Sequence, residues 1–492
     1  VAENVPLSGR AAAALVFLTS GGVLVLELVS LRLVAPYIGL TLETNTAVIG
    51  IALTAIALGA WLGGRSADLA PPQRLVGPLI LGSGALVMFV GPAVRWTGSI
   101  VRGADLSVVL LMAAIAVFVP AALMSAIPPM IVKLRLATLA QTGSVVGRLS
   151  SIGTFGAIVA TFGTGFVLVA AVPTHYILLG LGSLLVVVGA IVTIRLRGLK
   201  KAVPFVAAAL VGSLATTLAP QPCDVETAYH CAKVEADPDR PTGRTLRLDT
   251  LSHSYVDLKD PTFLEFAYIR GIASLLDVYW PAGQRIDALH LGGGGVTVPR
   301  YLDATRPGTD SVVYEIDKGV VDLDVEQLGL RTGDGIDVRV RDARIGLAEQ
   351  AAASRDVVVG DAFGGVSVPW HLTTKEVVQS IHRILRPGGV YAVNVIDYPP
   401  LGFARAEIAT IASVFDNVAI IAEPGILAKA DGGNLVIVAS DKPLPVANLQ
   451  ARLAERDKSL TLLSGQDRVT EFSDGARILT DAYAPVDQLL AR

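Results

Sequence analysis

Leu289-His-Leu-Gly-Gly-Gly-Gly295, followed about 20 residues later by Val312-Val-Tyr-Glu-Ile-Asp317, joins an apolar strand to a glycine-rich turn and ends the next strand on an acid. In a parallel α/β sheet of the Rossmann type this is how a nucleoside is held. The glycines let the backbone approach the ligand, and the acid accepts hydrogen bonds from the ribose hydroxyls. The segment lies downstream of roughly 200 residues too apolar for water. The chain therefore reads as a membrane protein that carries a nucleoside-binding enzyme domain.

Composition agrees with two unlike halves. Over 492 residues, 52% are hydrophobic and 17% charged, with a mean hydropathy of +0.58, which is odd for a wholly soluble protein. The net charge of -3 supplies no basic stripe, so a nucleic-acid partner has no electrostatic support. Apolar segments able to span a bilayer read as 11–34, 45–64, 76–94, 106–128, 152–172, 175–194 and 203–219, the last being the weakest. The first runs too long for a cleavable signal and is followed at once by further spans.

Basic residues favour one side. Arg10, Arg65, Arg74, Lys133, Arg135, Arg148, Arg195, Arg197, Lys200 and Lys201 flank alternate span ends, whereas the other ends hold only Arg32, Arg95 and Arg102. By the positive-inside rule the N-terminus is cytoplasmic, and seven spans put the C-terminal half outside. Cys223 and Cys231, the only cysteines, follow the last span. A disulfide there would need an oxidising compartment, and two free or buried thiols are the alternative. Adenosyl cosubstrates are made in the cytoplasm, so topology and chemistry pull in opposite directions.

From about residue 224 the pattern changes. Residues 225–258 alternate polar and apolar, as a small antiparallel sheet does, and a helix follows near 262–278. Strands are predicted at 286–291, 311–316, 336–341, 356–360, 389–396, 417–422 and 434–439, with helices between most of them. The last two lack an intervening helix, which predicts an antiparallel hairpin closing a seven-stranded sheet. The expected organisation is a transmembrane domain over 1–222, a small β region with a linking helix over 223–285, and a Rossmann-like domain over 286–492.

At Gly292-Gly-Gly294, Arg300, Tyr314-Glu-Ile-Asp317, Asp342-Ala343, Asp356-Val-Val-Val-Gly-Asp-Ala-Phe363, Pro369 and Leu385-Arg-Pro-Gly-Gly389 the C-terminal half resembles the spermidine synthase (polyamine aminopropyltransferase) family. The apolar half, through Glu27-Leu-Val-Ser-Leu-Arg-Leu-Val-Ala-Pro-Tyr37, Trp61-Leu-Gly-Gly-Arg-Ser-Ala-Asp68 and Gly147-Arg-Leu-Ser-Ser-Ile-Gly-Thr-Phe-Gly156, is similar to bacterial proteins that fuse a multi-pass membrane domain to such a domain. The resemblance is weakest beyond about residue 440. It implies transfer of an aminopropyl group from decarboxylated S-adenosylmethionine to an amine such as putrescine, without a metal, in a protein that associates with membrane lipid and forms dimers or tetramers. Asp361 is then the base that takes the amine's proton, Gly292, Gly293, Gly294, Glu315 and Asp317 hold the nucleoside, and Asp342 with Ala343 reads the adenine. Capping acids at 361 and 342, and a surface acid at 315, are the bland alternatives.

The departures fall on the amine side. Gly295 stands where the family carries an acid that holds the aminopropyl ammonium, and Val366 replaces a second acid in the gate loop. His253 stands near a substrate-binding glutamine. Tyr268-Ile-Arg270 replaces a Tyr-His-Glu element, and an arginine there would repel a diamine. Three readings follow: a membrane-anchored aminopropyltransferase-like enzyme, an S-adenosylmethionine-dependent methyltransferase, and a non-catalytic nucleoside or polyamine sensor coupled to transport. Trp370 and His371 are candidates for the substrate entrance. His175, His230, His253, His290, His371 and His382 show no metal-binding spacing. Glu27 and Arg32 in the first span are either a polar site or an ion pair that fixes packing, and Gly59, Gly63 and Gly64 predict close helix contact.

Overall fold

The computed structural model describes residues 8–101, 105–136, 142–331, 333 and 335–490. Arg102, counted above, lies outside them. The chain divides into two compact units, Val1–Cys231 and Ala232–Arg492.

The first unit is helical. Among the described residues, six helices are long and apolar enough to cross a membrane: α1 (Gly9–Ile38), α2 (Leu42–Leu69), α3 (Pro72–Ile100), α4 (Leu106–Arg135), α5 (Thr142–Ala171) and α6 (Thr174–Arg197). The seventh expected span is a shorter apolar helix, α7 (Val203–Leu218). Its 16 residues extend about 24 Å, less than a hydrocarbon core of about 30 Å. Side chains such as Phe155, Phe162 and Phe166 of α5 stay exposed, as a lipid-facing surface requires. Where α2 crosses α4 the contact is backbone to backbone. A β-carbon on Gly59 or Gly63 would sit 2.1 Å or 2.3 Å from the carbonyl oxygens of Ala122 and Ala126, whereas Gly64 has open space.

The two ends of this unit differ. At one, Lys133 pairs with Asp68 and Arg197 donates to the Arg74 carbonyl at 3.0 Å. At the other, the segment after α7 is tied to the helix ends. Glu226 accepts from the Thr174 N–H at 2.6 Å and its hydroxyl at 3.0 Å, and lies 3.8 Å from the buried Arg95 guanidinium. Cys223 and Cys231 are joined by a disulfide, closing a loop around Glu226. Arg32 donates to the carbonyls of Val169, Ala228 and Thr227. The Arg32 guanidinium thereby satisfies carbonyls at this end of the unit.

The second unit begins with the antiparallel strands β1 (Cys231–Ala236), β2 (Gly243–Leu248) and β3 (Leu251–Asp257), then helix α8 (Ala267–Tyr279). The main sheet contains β4 (Asp287–Leu291), β5 (Asp310–Glu315), β6 (Ile336–Val340), β7 (Arg355–Gly360), β8 (Leu385–Asp397), β9 (Asn417–Ala422), β10 (Gly433–Ser440) and β11 (Thr461–Ser464). Its order is β11-β9-β10-β8-β7-β4-β5-β6. The five strands from β6 to β8 are parallel, and β10, β9 and β11 add antiparallel.

All seven predicted strands form, and the expected hairpin is β9-β10, with a short helical turn, Pro424–Leu427, between them. The sheet has eight strands rather than seven. β11 is only four residues long, too short for alternation to register, and comes from the tail where the resemblance was weakest. Its Leu462 and Leu463 are buried. Central β4 is apolar because both faces are covered: Ala288 and Leu289 are fully buried.

Candidate active site

β4 pairs with β5 on one side and β7 on the other. The chain leaves β4 and β7 in opposite directions along the sheet, so their carboxyl ends border a crevice, the usual ligand position in an open α/β sheet. Two backbone hydrogen bonds fix the crevice walls: Gly292 N–H to the Tyr314 carbonyl at 2.9 Å, and Asp361 N–H to the Leu291 carbonyl at 2.8 Å. Gly292 has φ +97, and a β-carbon there would lie 2.2 Å from the Asp361 carbonyl oxygen. Only glycine permits both that φ and that approach.

Glu315, ending β5, turns its carboxylate into the glycine turn. One oxygen accepts from Gly293 N–H at 2.9 Å and Gly294 N–H at 3.3 Å, the other from Asp317 N–H at 2.9 Å. A carboxylate has about four acceptor positions, so one remains for a ribose hydroxyl. Ser254 of β3 supports the same turn, its hydroxyl accepting from Gly295 N–H at 2.9 Å. A β-carbon on Gly295 would lie 2.9 Å from Val256 Cγ2 and 3.0 Å from Ser254 Cβ. The acid expected there by family resemblance is thus excluded by β3, which fills its space.

Asp361 follows β7 and is enclosed by neutral donors. Tyr268 of α8 donates its hydroxyl to one carboxylate oxygen at 3.1 Å, and the Asn394 amide of β8 donates to the other at 2.9 Å. Burial pushes the carboxyl up to about 6, with the Asn394 and Tyr268 hydrogen bonds opposing that rise. Asp361 and burial together push the Tyr268 hydroxyl well above its ordinary range, so it stays a donor.

The other candidates divide. Asp317 is buried and caps helix α10 (Lys318–Glu326), accepting from Gly319 N–H at 2.9 Å. Its carboxylate serves the helix start. Asp342 caps α11 (Ala343–Glu349) through Arg344 N–H at 2.8 Å and Ile345 N–H at 3.2 Å, while its second oxygen lies 3.3 Å from His371 Nε2. Ala343 is buried at the same helix start. Trp370 is half exposed and meets the His371 ring edge-on. His253 lies on β3 next to Ser254. Arg270 does not confront a diamine: its guanidinium donates to Asp457 at 2.6 Å and to the Leu264 and Glu265 carbonyls. Sequence reasoning overlooked that partner because Asp457 is 187 positions away. It also passed over Ser254, Asn394 and Asn434. Asn394 left a signal, one amide in the apolar run Val390-Tyr-Ala-Val-Asn-Val-Ile396, since a buried polar group needs a partner. Among the described residues, no three His, Cys, Asp or Glu gather as a metal site.

Comparison with known proteins follows the same chemistry. The chain is 27% identical over 249 residues to a polyamine aminopropyltransferase of Vibrio vulnificus, covering 48% of this chain and 79% of that protein. A probable polyamine aminopropyl transferase of Bifidobacterium longum is 30% identical over 218 residues, 41% of this chain and about half (48%) of that protein. This chain is thus similar to proteins named polyamine aminopropyltransferases. A probable spermidine synthase structure from Corynebacterium glutamicum aligns over 52% of this chain and 95% of its own, at 29% identity and a TM-score of 0.48. No protein-family model matches the chain. The α/β sheet lies in the second unit of this chain, and the apolar helices precede it.

Proposed function

We propose that the second unit of this aminopropyltransferase relative transfers an aminopropyl group from decarboxylated S-adenosylmethionine to a primary amine. The observation that carries this reading is Asp361, raised to about 6 and held by Tyr268 and Asn394 beside the glycine turn. A carboxylate so tuned is largely ionised at neutral pH yet basic enough to accept a proton in the transition state. The amine nitrogen forms its bond to the methylene carbon on sulfur as the carbon–sulfur bond breaks. The bonding pair leaves with sulfur, giving methylthioadenosine, and the nitrogen's proton passes to Asp361. Glu315 and the glycine turn would hold the ribose, and Asp342 the adenine. The relatives' names, polyamine aminopropyltransferase and probable polyamine aminopropyl transferase, support the reaction class.

Gly295 favours a second reading. With β3 filling the space of the missing acid, the aminopropyl ammonium lacks that partner, and the carboxylate of intact S-adenosylmethionine meets one obstacle fewer, so methyl transfer is the alternative. Supplying full-length protein with each cosubstrate and a panel of amines separates them. Methylthioadenosine release supports aminopropyl transfer. S-adenosylhomocysteine release supports the methyltransferase, and binding without either product supports a sensor.

We further propose that the helical unit is embedded in the cell membrane, with the second unit outside. Arg10, Arg74, Lys133 and Arg197 flank helix ends opposite those tied to Glu226 and Arg32, and the disulfide suits an oxidising compartment. Cys223 and Cys231 should resist thiol labelling in intact cells until reduced. Labelling of both thiols without reduction would reverse the assignment.

A further inference from the structure

Among the described residues, the hydrogen-bond partners of the Asp361 carboxylate are Tyr268 from α8 and Asn394 from β8, and of these Tyr268 is the one that titrates. Behind Asn394 stands a second amide. Asn434 of β10 donates from Nδ2 to Asn394 Oδ1 at 3.0 Å, while Asn394 Nδ2 donates to Asp361 Oδ1 at 2.9 Å. The two asparagines lie on adjacent antiparallel strands, Asn394 opposite Val436 and Asn434 opposite Ile396, so they are diagonal neighbours on one face. Asn394 is 1% exposed, which leaves water little access to its amide.

We propose that Asn434 is a positioning residue for the base: it locks the Asn394 amide with its nitrogen toward Asp361, so the carboxylate keeps a donor on one oxygen and Tyr268 on the other. An amide has two orientations of nearly equal shape, and its partners choose between them. Turning Asn394 over would set its oxygen against the Asp361 carboxylate and its nitrogen against the Asn434 nitrogen, a second repulsion relieved only if Asn434 turns with it. Without the Asn434 donor that second cost disappears. A protonated Asp361 can then donate to the turned Asn394 oxygen, which stabilises the acid form. The sign follows: losing Asn434 raises the pH at which Asp361 ionises, and fewer molecules hold a free base at neutral pH.

The proposal rests on the reading of Asp361 as base, but its first test needs no turnover. Full-length protein with ¹³C-carboxyl aspartate, reconstituted in lipid nanodiscs, is titrated by infrared difference spectroscopy, and Asp361→Asn identifies the Asp361 band. The parent midpoint is expected near 6. Asn434→Leu should move it upward by about one pH unit, roughly a tenfold change in the ionisation equilibrium, and Asn434→Gln, which keeps a donor, should return it toward the parent. Thermal unfolding checks each variant, and Asn434→Ala replaces the leucine if that side chain disturbs the fold. An unchanged midpoint in a folded Asn434→Leu or Asn434→Ala protein overturns the proposal. In the second arm, the acid limb of kcat/KM for methylthioadenosine release should shift in step with the infrared midpoint. Absence of product from the parent with every amine would remove the aminopropyltransferase reading, and the infrared titration would still decide the relay.

Discussion

The two sides of the crevice are built on different principles. On the side proposed to hold the nucleoside, the Glu315 carboxylate is satisfied by three backbone N–H groups, so the glycine turn and this acid form one rigid piece. On the side proposed for the amine, Asp361 is surrounded by side chains, a phenol and an amide backed by another amide. The acid expected at 295 is displaced by Ser254 and Val256. Burial among neutral side chains leaves Asp361 near its proton-transfer point. One side is suited to holding a ligand and the other to moving a proton.

The largest test of that contrast is energetic. The Asp361 carboxyl has an ordinary value of 3.8 and is raised to about 6 in the folded protein. A raised group contributes fully below the unfolded value, and the contribution is lost as pH rises through the folded one. Ionised Asp361 should therefore cost up to about 3 kcal/mol at neutral pH. Asp361→Asn is expected to raise the unfolding temperature at pH 7, with the advantage vanishing below about pH 4. An advantage independent of pH would mean that this acid is not held at the expense of stability.

Glu315→Gln probes the other side. The amide presents N–H where one or two backbone donors now point, so methylthioadenosine binding should weaken by roughly 1–3 kcal/mol, with little change in the Asp361 midpoint. Calorimetry showing parent-like affinity would separate Glu315 from the ribose. A smaller effect is expected from Gly295→Asp. Its β-carbon meets Val256 and Ser254, so the substitution should destabilise by about 1–3 kcal/mol through overpacking. It should not restore preference for the decarboxylated cosubstrate, and a measured gain in that preference would show that β3 yields.

Much of this was legible in the chain. Glycines 292–294, Glu315 and Asp361 are read from local pattern, because the turn and the strand ends are set by neighbours in sequence, and the structure brings all of them to one crevice. What escaped depends on distant partners. Arg270 looked hostile to a diamine until Asp457 claimed it. Asp317 and Asp342, read as ligand groups, also cap helices. The eighth strand was invisible because four residues carry too little periodicity. In the helical unit, Arg32 sits at short separation from Glu27 in sequence, whereas two of the carbonyls its guanidinium reaches, Thr227 and Ala228, are 195 and 196 positions away.

The measurement that most directly tests the central claim, a base poised on the amine side, is methylthioadenosine release from decarboxylated S-adenosylmethionine across pH 5–9, by full-length parent and Asp361→Asn, with saturating amine. An acid limb near 6 is expected in the parent, with a loss of turnover of about 100-fold or more in the variant and nucleoside affinity nearly unchanged. Equal turnover in the two proteins, at every pH and on whichever amine is active, would contradict it.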